Sequence, residues 1–240
     1  MNVLLRGYGR MGKRLATLIE ADESHQLVGI IDVNGEGDAT SFSAFAGTAD
    51  VIIDFSHPDG IEELLHYVLN HQLPCVLATT NYSADQQRKI DLASEVIPIL
   101  QTSNTAYGVQ ILLDAVRRLH HQLPDADVEL VETHHKHKID APSGTAKMIL
   151  NELKTGGPEV HGRHGEAKRE AGEIGVHSIR GGNVVGVHEV RFHLDDEIIT
   201  VRHEALNPDV FARGAIRAAA YLIGQRPGRY TMTDMLKEDQ

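Results

Sequence analysis

Near its start the chain reads Val3-Leu4-Leu5-Arg6-Gly7-Tyr8-Gly9-Arg10-Met11-Gly12, an apolar run that leads into three glycines. The apolar run predicts a β-strand, and the residues after it carry helical spacing over Met11–Glu20. In the G-x-G-x-x-G pattern between them, Gly7 permits a tight turn, Gly9 lets the backbone approach a pyrophosphate and Gly12 lets the helix pack closely on the sheet. We therefore predict a Rossmann-like first turn, with these residues around the phosphates of a dinucleotide: Gly7, Tyr8, Gly9, Arg10, Met11 and Gly12.

An acidic residue at the end of the next predicted strand narrows the choice of cofactor. Asp32 stands twenty residues beyond Gly12, where a carboxylate accepts hydrogen bonds from the adenosine ribose. This favours the free 2′-hydroxyl of NADH, whereas Arg10 or Lys13 would admit the phosphate of NADPH, so we predict NADH and/or NADPH. Two alternatives stay open from these residues, an S-adenosylmethionine site and a glycine turn without a ligand.

The first hundred residues alternate short apolar runs with helical stretches, as in a parallel sheet with crossover helices. The predicted elements are strands Val3–Arg6, Leu27–Asp32, Val51–Phe55, Cys75–Ala78 and Ile97–Gln101 and helices Met11–Glu20, Ile61–Asn70 and Ala84–Ala93. Asp59 and Ser83 are expected to cap helices. Because open α/β sheets bind ligands at the carboxyl ends of strands, two polar segments are expected to complete the cofactor site: Ala78, Thr79, Thr80, Thr102, Ser103, Asn104 and Thr105.

The second half of the chain has a different pattern. It predicts helix Gly108–His120, strand Val128–Thr133, helix Ala146–Leu153, loop Thr155–Gly172, strands Ile174–Ile179, Gly186–Leu194 and Glu197–His203, a turn at Asp195-Asp196 and helix Phe211–Ile223. We expect an α/β protein with two domains. Residues 1–105 and 208–240 form a Rossmann-like, doubly wound parallel sheet, and residues 106–207 form a smaller α+β domain for substrate binding and oligomerisation, with an open, largely antiparallel sheet.

The composition of the whole chain excludes several classes of partner. A formal charge of −11 opposes binding to nucleic acid or to an anionic membrane surface. No apolar run has the length of a membrane span, and the first residues lack the features of a secretory signal, so we expect a cytoplasmic protein. Cys75 is the single cysteine and lies in an apolar run, which favours a buried structural role.

The densest group of ionisable residues lies between Glu132 and Ala146. Three histidines and two lysines stand within five residues there: His134, His135, Lys136, His137 and Lys138. Such a patch attracts carboxylates, and histidine or lysine can transfer protons. Pro142-Ser143-Gly144-Thr145 then predicts a helix start whose N–H groups bind an anion. A zinc site and a solvated basic loop are the alternatives, but the histidines lack helical i, i+4 spacing and the lysines oppose a divalent cation, so we predict no metal.

In these residues the chain resembles the 4-hydroxy-tetrahydrodipicolinate reductases, or dihydrodipicolinate reductases, of the bacterial diaminopimelate route to lysine. The resemblance extends over essentially the whole length. It rests on Gly7–Gly12, Asp54-Phe55-Ser56-His57-Pro58, Ala78-Thr79-Thr80, Glu132–Ala146, His177-Ser178-Ile179-Arg180-Gly181-Gly182 and Gly186-Val187-His188-Glu189-Val190.

The resemblance implies a cytoplasmic, NAD(P)H-dependent oxidoreductase that reduces 4-hydroxy-tetrahydrodipicolinate to tetrahydrodipicolinate with loss of water. It implies a homotetramer with packed sheets and a hinge between cofactor and substrate domains. In this family's pattern His134 donates or accepts the proton, Lys138 is a second donor, and the substrate carboxylates are held by His135, Ser143, Gly144 and Thr145.

Two departures and three rival functions accompany this resemblance. Asn81 stands where the family usually has glycine, and Thr102–Ala106 differs from the usual segment, which bears on nicotinamide contacts. The rivals are an aspartate dehydrogenase-like enzyme, a nicotinamide-responsive binding module and a zinc hydrolase. Because His134 and Lys138 are both present, the sequence favours the reductase over a module without turnover.

Overall fold

The computed structural model describes residues 1–154 and 156–238, and within them the chain divides into two compact units. Unit 1 is Met1–Tyr107 together with the segment that begins at Asp209, and unit 2 is Gly108–Pro208. Thr155, the first residue of the predicted loop, and residues 239–240, the end of the predicted first domain, lie outside the described residues. No helix in the described ranges is both long and apolar enough to cross a membrane.

Within the described residues the two units contain eleven strands and seven α-helices, besides two short 3₁₀ helices. The strands are β1 (Asn2–Arg6), β2 (Gln26–Ile31), β3 (Val51–Asp54), β4 (Cys75–Leu77), β5 (Pro98–Gln101), β6 (Asp127–His134), β7 (Glu159–His161), β8 (Ile174–Arg180), β9 (Gly186–His193), β10 (Ile198–Ala205) and β11 (Gly228–Tyr230). The helices are α1 (Arg10–Glu20), α2 (Ile61–His71), α3 (Ala84–Ser94), α4 (Tyr107–Gln122), α5 (Gly144–Glu152), α6 (Asp209–Leu222) and α7 (Met232–Glu238).

Unit 1 is a six-stranded parallel sheet in the order β11-β5-β4-β3-β1-β2. Apolar side chains of α1, α6 and α7 form one buried cluster with one face of the sheet, and those of α2 and α3 form another with the opposite face. Strand order reverses between β1 and β3, which is where ligands bind in doubly wound sheets. The predicted Rossmann-like fold class is confirmed.

Unit 2 contains a five-stranded sheet in the order β10-β9-β6-β8-β7. Strand β9 pairs antiparallel with both β6 and β10, whereas β8 pairs parallel with β6 and with β7. The sheet is therefore mixed and not largely antiparallel as predicted. The reason is the connection after β6, because a helix and a further strand before β8 give the chain enough length for a parallel return.

Some local predictions are right and others wrong. The Ser83 side chain accepts from the Gln86 N–H while the Gln86 side chain accepts from the Ser83 N–H, so the predicted cap of α3 is a full capping box. Asp59 does not cap α2, because a short 3₁₀ turn capped by His57 precedes that helix. The predicted loop after residue 155 contains β7, and the three-residue strands β7 and β11 are too short to show periodicity in a sequence.

Candidate active site

The glycine turn between β1 and α1 leaves little room for side chains. Gly7 has a φ of +91°, and a Cβ atom there would lie 2.4 Å from the Phe55 carbonyl oxygen. A Cβ atom at Gly12 would lie 2.0 Å from the Gly7 carbonyl oxygen. Gly9 differs, because no heavy atom lies within 4 Å of a Cβ atom there, and no side chain caps α1. Open space before an uncapped helix N-terminus fits the pyrophosphate of a dinucleotide.

Asp32 braces the same turn from the end of β2. Its Oδ2 accepts from the Tyr8 N–H at 2.8 Å and its Oδ1 accepts from the Asn34 N–H at 2.9 Å. A carboxylate oxygen has a further lone pair, so each can also accept from a ribose hydroxyl. Lys13, one of the two cations considered for a 2′-phosphate, is paired with Glu36 at 2.5 Å. These contacts favour a free ribose hydroxyl at Asp32.

A cavity of about 260 Å³ opens beside Asp32 at the ends of the first three strands. Its lining includes Arg6, Gly7, Val33, Ser56 and His57. Arg6 is buried and its Nη1 donates to Asp54 at 3.0 Å, so its charge is balanced within unit 1. The sequence identified only Gly7 and Asp32 of this lining as cofactor contacts. The size and position of this cavity suit the adenosine portion of a dinucleotide.

A second cavity of about 450 Å³ lies at the carboxyl ends of β4 and β5. Hydroxyl and amide groups line it, from Thr79, Thr80, Asn81, Tyr82, Gln87, Gln101, Thr102 and Ser103, with Arg229 beside them. Asn81 has a φ of +65°, in the left-handed region that glycine adopts without strain and asparagine tolerates. Asparagine at this position therefore fits a backbone conformation that glycine also adopts.

The last two residues of the polar segment Thr102–Thr105 form hydrogen bonds that stabilise the loop in which they lie. The Thr105 hydroxyl donates to the Phe211 carbonyl oxygen at 2.7 Å, and the Asn104 side-chain oxygen accepts from the Ala106 N–H at 2.8 Å. Both side chains are buried, and neither lines the cavity at β4 and β5, nor does Ala78. Of the two predicted segments, Thr79, Thr80, Thr102 and Ser103 line that cavity.

The ionisable groups of unit 2 gather at the end of β6. Along this strand the buried positions alternate, and the last two of them are Glu132 and His134. His134 Nδ1 lies 2.5 Å from Glu132 Oε2. Arg180 Nη2 donates to Glu132 Oε1 at 2.6 Å, and the Ser143 N–H donates to the same oxygen at 3.3 Å. The buried carboxylate thus joins a histidine, a guanidinium and the start of α5.

Burial and these partners act in opposite directions on the two pKa values. Burial raises the pKa of Glu132, but hydrogen bonds from Arg180, Ser178 and His134 outweigh it, so the pKa is lower than usual. For His134, burial is the largest cause, and together with the charges of Lys138 and Arg180 it lowers the pKa more than the Glu132 carboxylate raises it. Glu132 is therefore ionised at neutral pH.

Lys138 and His135 lie on the loop that follows β6. The Lys138 ammonium is paired with Asp140 at 2.8 Å, and the Arg180 guanidinium also donates to the Asp140 carbonyl oxygen at 2.7 Å. His135 is half-buried, and its Nδ1 has no partner among the described residues. The charge of Lys138 lowers the pKa of His134, so the two residues predicted to transfer protons interact electrostatically.

Three of the four predicted carboxylate-binding residues form the start of α5. Ser143 is the N-cap, and its hydroxyl oxygen accepts from the Ala146 N–H at 3.2 Å and lies 3.0 Å from His188 Nε2. Gly144 is exposed and no heavy atom lies within 4 Å of a Cβ atom there, whereas Thr145 is mostly buried. A helix N-terminus with open space at its first residue suits a carboxylate.

One group of metal-binding residue types is close together in the described part of unit 2. Ligand atoms of Glu132, His134 and His188 lie within 4.8 Å of one another. This group differs from the three adjacent histidines considered from the sequence. The Glu132 carboxylate already accepts hydrogen bonds from Arg180 and from the Ser143 N–H. A second cation, Lys138, interacts electrostatically with His134. A hydrogen-bonded charge network fits these contacts better than a divalent cation does.

Comparison with known proteins gives a match along almost the whole chain. The family described as "Dihydrodipicolinate reductase, N-terminus" matches residues 1–105, and "Dihydrodipicolinate reductase, C-terminus" matches residues 108–236. The chain belongs to the dihydrodipicolinate reductase family. The family resemblance predicted from the motifs is thereby confirmed.

Individual members of the dihydrodipicolinate reductase family agree with this assignment. The 4-hydroxy-tetrahydrodipicolinate reductase of Alkaliphilus oremlandii is 41% identical over 98% of this chain and 98% of its own length. That of Staphylococcus epidermidis is 41% identical over 98% of this chain and all of its own. A dipicolinate-bound dihydrodipicolinate reductase from Paenisporosarcina sp. TG-14 has the same fold, with a TM-score of 0.78 and 22% identity, covering 96% of this chain and 97% of that one.

Three side chains of the unit 2 site were not predicted from the sequence to belong to it. Glu132, Arg180 and His188 lie in the motifs that carry the family resemblance, but no function was assigned to them from the sequence. A signal was present for two of them, because Glu132 and His188 occupy inward positions in otherwise apolar, alternating strands. A charged or polar residue in such a row is rarely buried without partners.

Proposed function

We propose that this chain reduces 4-hydroxy-tetrahydrodipicolinate with NADH or NADPH, giving tetrahydrodipicolinate and water in the diaminopimelate route to lysine. Membership of the dihydrodipicolinate reductase family supports the reaction class. The observation that carries the proposal is the juxtaposition in unit 2 of a buried histidine, His134, with Lys138 and the open start of α5. This combination suits proton transfer beside a bound carboxylate.

Unit 1 is the proposed cofactor domain. The glycine turn with the N-terminus of α1 would hold the pyrophosphate, Asp32 the adenosine ribose, and the hydroxyl-lined cavity at β4 and β5 the nicotinamide end. The nicotinamide supplies the hydride. The proposed contacts are those predicted. Those for the adenosine and the phosphates are Gly7, Tyr8, Gly9, Arg10, Met11, Gly12 and Asp32, and those that line the cavity at β4 and β5 are Thr79, Thr80, Thr102 and Ser103. Ala78, Asn104 and Thr105 lie outside this lining and would contribute backbone groups only.

Unit 2 is the proposed substrate domain. Ser143, Gly144 and Thr145 at the start of α5, with His135, would bind the substrate carboxylates, and Lys138 adds a cation. His134 would exchange the proton. In the balanced reaction one hydride replaces the hydroxyl on the ring carbon, and the hydroxyl leaves with one proton as water. The residues of unit 2 therefore neutralise the substrate and manage the proton.

We also propose a homotetramer in the cytoplasm, with a small dicarboxylate as the substrate class. The open mixed sheet of unit 2, whose edge strand β10 alternates half-buried and exposed residues, supports association through this unit. The dipicolinate bound to the Paenisporosarcina protein supports the dicarboxylate class. Light scattering of the purified chain measures the subunit number directly.

The experiment that tests the reaction supplies freshly generated 4-hydroxy-tetrahydrodipicolinate to the purified chain with NADH and, separately, with NADPH. We expect substrate-dependent loss of the reduced nucleotide's absorbance and formation of tetrahydrodipicolinate, identified by mass. L-aspartate with the oxidised nucleotides serves as the control for the aspartate dehydrogenase alternative. A folded protein that oxidises neither nucleotide with this substrate would contradict the proposal.

A further inference from the structure

A buried carboxylate interrupts the apolar row on the inward side of β6. Val128, Leu130, Glu132 and His134 are the buried positions of this strand, and Glu132 is fully buried. A charge in such a position is unfavourable unless hydrogen-bonded partners surround it. Both carboxylate oxygens of Glu132 have such partners. These hydrogen bonds fix the positions of the neighbouring polar groups, which an apolar residue at this position would not do.

The two oxygens of Glu132 have different partners. Oε1 receives the Arg180 guanidinium at 2.6 Å and the Ser143 backbone N–H at 3.3 Å, and both of these groups can only donate. Oε2 faces His134 Nδ1 at 2.5 Å. Arg180 further donates to the Asp140 carbonyl oxygen, which ties the carboxylate to the loop that carries Lys138. The orientation of the carboxylate is therefore fixed from its Oε1 side.

This arrangement determines the proton positions on His134. An ionised carboxylate only accepts hydrogen bonds, so the hydrogen between the two groups belongs to Nδ1 of the imidazole. The other ring nitrogen, Nε2, is then a lone-pair acceptor in the neutral ring and a donor in the charged ring. We infer that Glu132 is a positioning residue that makes Nε2 of His134 the proton-transferring atom, and that Arg180 holds Glu132 in this orientation.

The neighbouring strand supports the same choice of nitrogen. A Cβ atom at Gly186, on β9, would lie 3.1 Å from His134 Nε2, its nearest neighbour. The glycine therefore leaves Nε2 without a side chain pressed against it from this direction. Nδ1 is engaged by Glu132, whereas residue 186 places no side chain against Nε2.

Among the described residues, the charged and titratable groups found near His134 come from three strands and one loop. They are Glu132 on β6, Arg180 on β8, His188 on β9 and Lys138 on the loop after β6. Burial lowers the pKa of His188 to about 3, with the charge of His134 as the next cause, so His188 is neutral under assay conditions. The two cations lower the pKa of His134 and Glu132 raises it.

The first test observes the ring protons of His134 in the protein without substrate. In ¹⁵N-histidine-labelled protein, the two-bond ¹H–¹⁵N correlations of a neutral imidazole distinguish the Nδ1–H from the Nε2–H tautomer, and the His134→Gln spectrum identifies the signal. We expect Nδ1–H in the unaltered chain. An Nε2–H tautomer there would overturn the inference whatever the variants do.

Glu132→Gln should reverse that tautomer. Arg180 and the Ser143 N–H require an acceptor at the Oε1 position, so the amide oxygen takes that position and the amide NH₂ faces His134. The NH₂ group donates to Nδ1, which moves the ring hydrogen to Nε2. An unchanged Nδ1–H signal in the folded variant would contradict the inference.

Glu129→Gln is the matched control for this substitution. Glu129 lies on the same strand with the opposite alternation, and it too contacts a histidine and an arginine: His177 Nε2 is 2.8 Å from its Oε2, and Arg169 binds its other oxygen. Its substitution removes an equivalent charge without touching His134. We expect the His134 tautomer to stay Nδ1–H in this variant.

The kinetic test rests on the proposed function. Glu132→Gln should lower kcat by a large part of the roughly 10²–10⁴-fold that a general acid or base provides, with a smaller change in KM. The limb of the pH profile that reports His134 should move to lower pH. Because Glu132 acts through His134, the Glu132→Gln/His134→Gln double variant should be no slower than His134→Gln alone. Multiplying losses would overturn the inference.

The two tests separate failure of the inference from failure of the proposed function. If Glu132→Gln reverses an Nδ1–H tautomer but the protein lacks reductase activity, the positioning role of Glu132 stands and the proposed reaction is refuted. If the protein is an active reductase but Glu132→Gln changes neither the His134 tautomer nor the pH profile, the proposed reaction stands and the positioning role is refuted.

Discussion

Unit 1 and unit 2 build their candidate sites from different materials. In unit 1 the decisive contacts involve the backbone: Gly7 and Gly12 lie so close to carbonyl oxygens that no side chain fits, and the space at Gly9 is open. In unit 2 the decisive contacts involve buried side chains, with Glu132 between Arg180 and His134. A site made from the backbone depends on a few consecutive residues, whereas a site made from side chains depends on strands that are distant in sequence.

The difference predicts how each unit responds to substitution. A backbone site is sensitive to added atoms, because its function is close approach of a ligand to N–H groups. A side-chain site is sensitive to changes of charge and protonation, because its buried groups compensate one another. Substitutions at five positions test this contrast, beginning with the largest expected effect.

His134→Gln should cause the largest loss of activity. The glutamine retains a polar side chain but cannot transfer a proton near neutral pH, and general acid–base catalysis contributes about 10²–10⁴-fold. We expect kcat to fall by that order while KM changes much less, measured by steady-state nucleotide oxidation. The control is His121→Gln, an exposed histidine on α4. Unchanged kcat in the folded His134 variant would remove this residue from the mechanism.

Gly12→Ala and Gly9→Ala compare two positions in the backbone site of unit 1. At Gly12 the new methyl group overlaps the Gly7 carbonyl oxygen, so the turn must shift, and we expect a loss of about 1–3 kcal/mol in unfolding free energy together with weaker nucleotide binding. At Gly9 no protein atom is displaced. We expect that variant to keep its stability and lose only nucleotide affinity, as measured by urea unfolding and calorimetric titration.

A result in which both alanine variants lose stability equally would weaken the contrast between the two units. So would an unchanged nucleotide affinity in Gly9→Ala, because the open space at Gly9 would then not be the place of the pyrophosphate.

The same contrast explains what the sequence could predict. The parallel sheet, the glycine turn and Asp32 were predicted because their signals are local: apolar runs, glycine spacing and a strand end. The mixed pairing of β8 and the partnership of Glu132 with Arg180 were not, because they depend on register between segments 46 to 48 residues apart. The Asp59 cap failed for a local reason, since Pro58 and His57 start a 3₁₀ turn before the helix begins.

His188 provides a test of unit 2 through the pH dependence of its stability. Burial lowers the pKa of His188 to about 3 in the folded chain, against 6.5 for an unperturbed histidine. Its stabilising contribution is therefore present above pH 6.5. It is lost as pH falls from 6.5 toward 3, at about 1.4 kcal/mol per pH unit, because the unfolded chain takes up a proton that the folded chain does not.

His188→Gln isolates this contribution from those of other groups. We expect the variant to be less stable than the unaltered chain at about pH 7.5 and the difference to narrow by about 2 kcal/mol near pH 5, measured by urea unfolding at each pH. His121→Gln should show no such narrowing. A difference that stays constant with pH would mean that His188 is charged or solvated in the folded protein.

Substitution of Asn81 should give the smallest effect. It tests whether asparagine at this position serves only the backbone conformation or also contacts the cofactor. With φ at +65°, a residue other than glycine costs about 1–2 kcal/mol in this conformation, and asparagine tolerates it better than most. Asn81→Gly should therefore change the unfolding free energy by less than about 1 kcal/mol, whereas Asn81→Ala should lower it by about 1 kcal/mol. If the glycine variant instead changes KM for the nucleotide several-fold at unaltered stability, the Asn81 side chain contacts the cofactor. The cavity at β4 and β5 would then include a side-chain contact of the kind that defines unit 2, and the contrast between the two units would be one of degree.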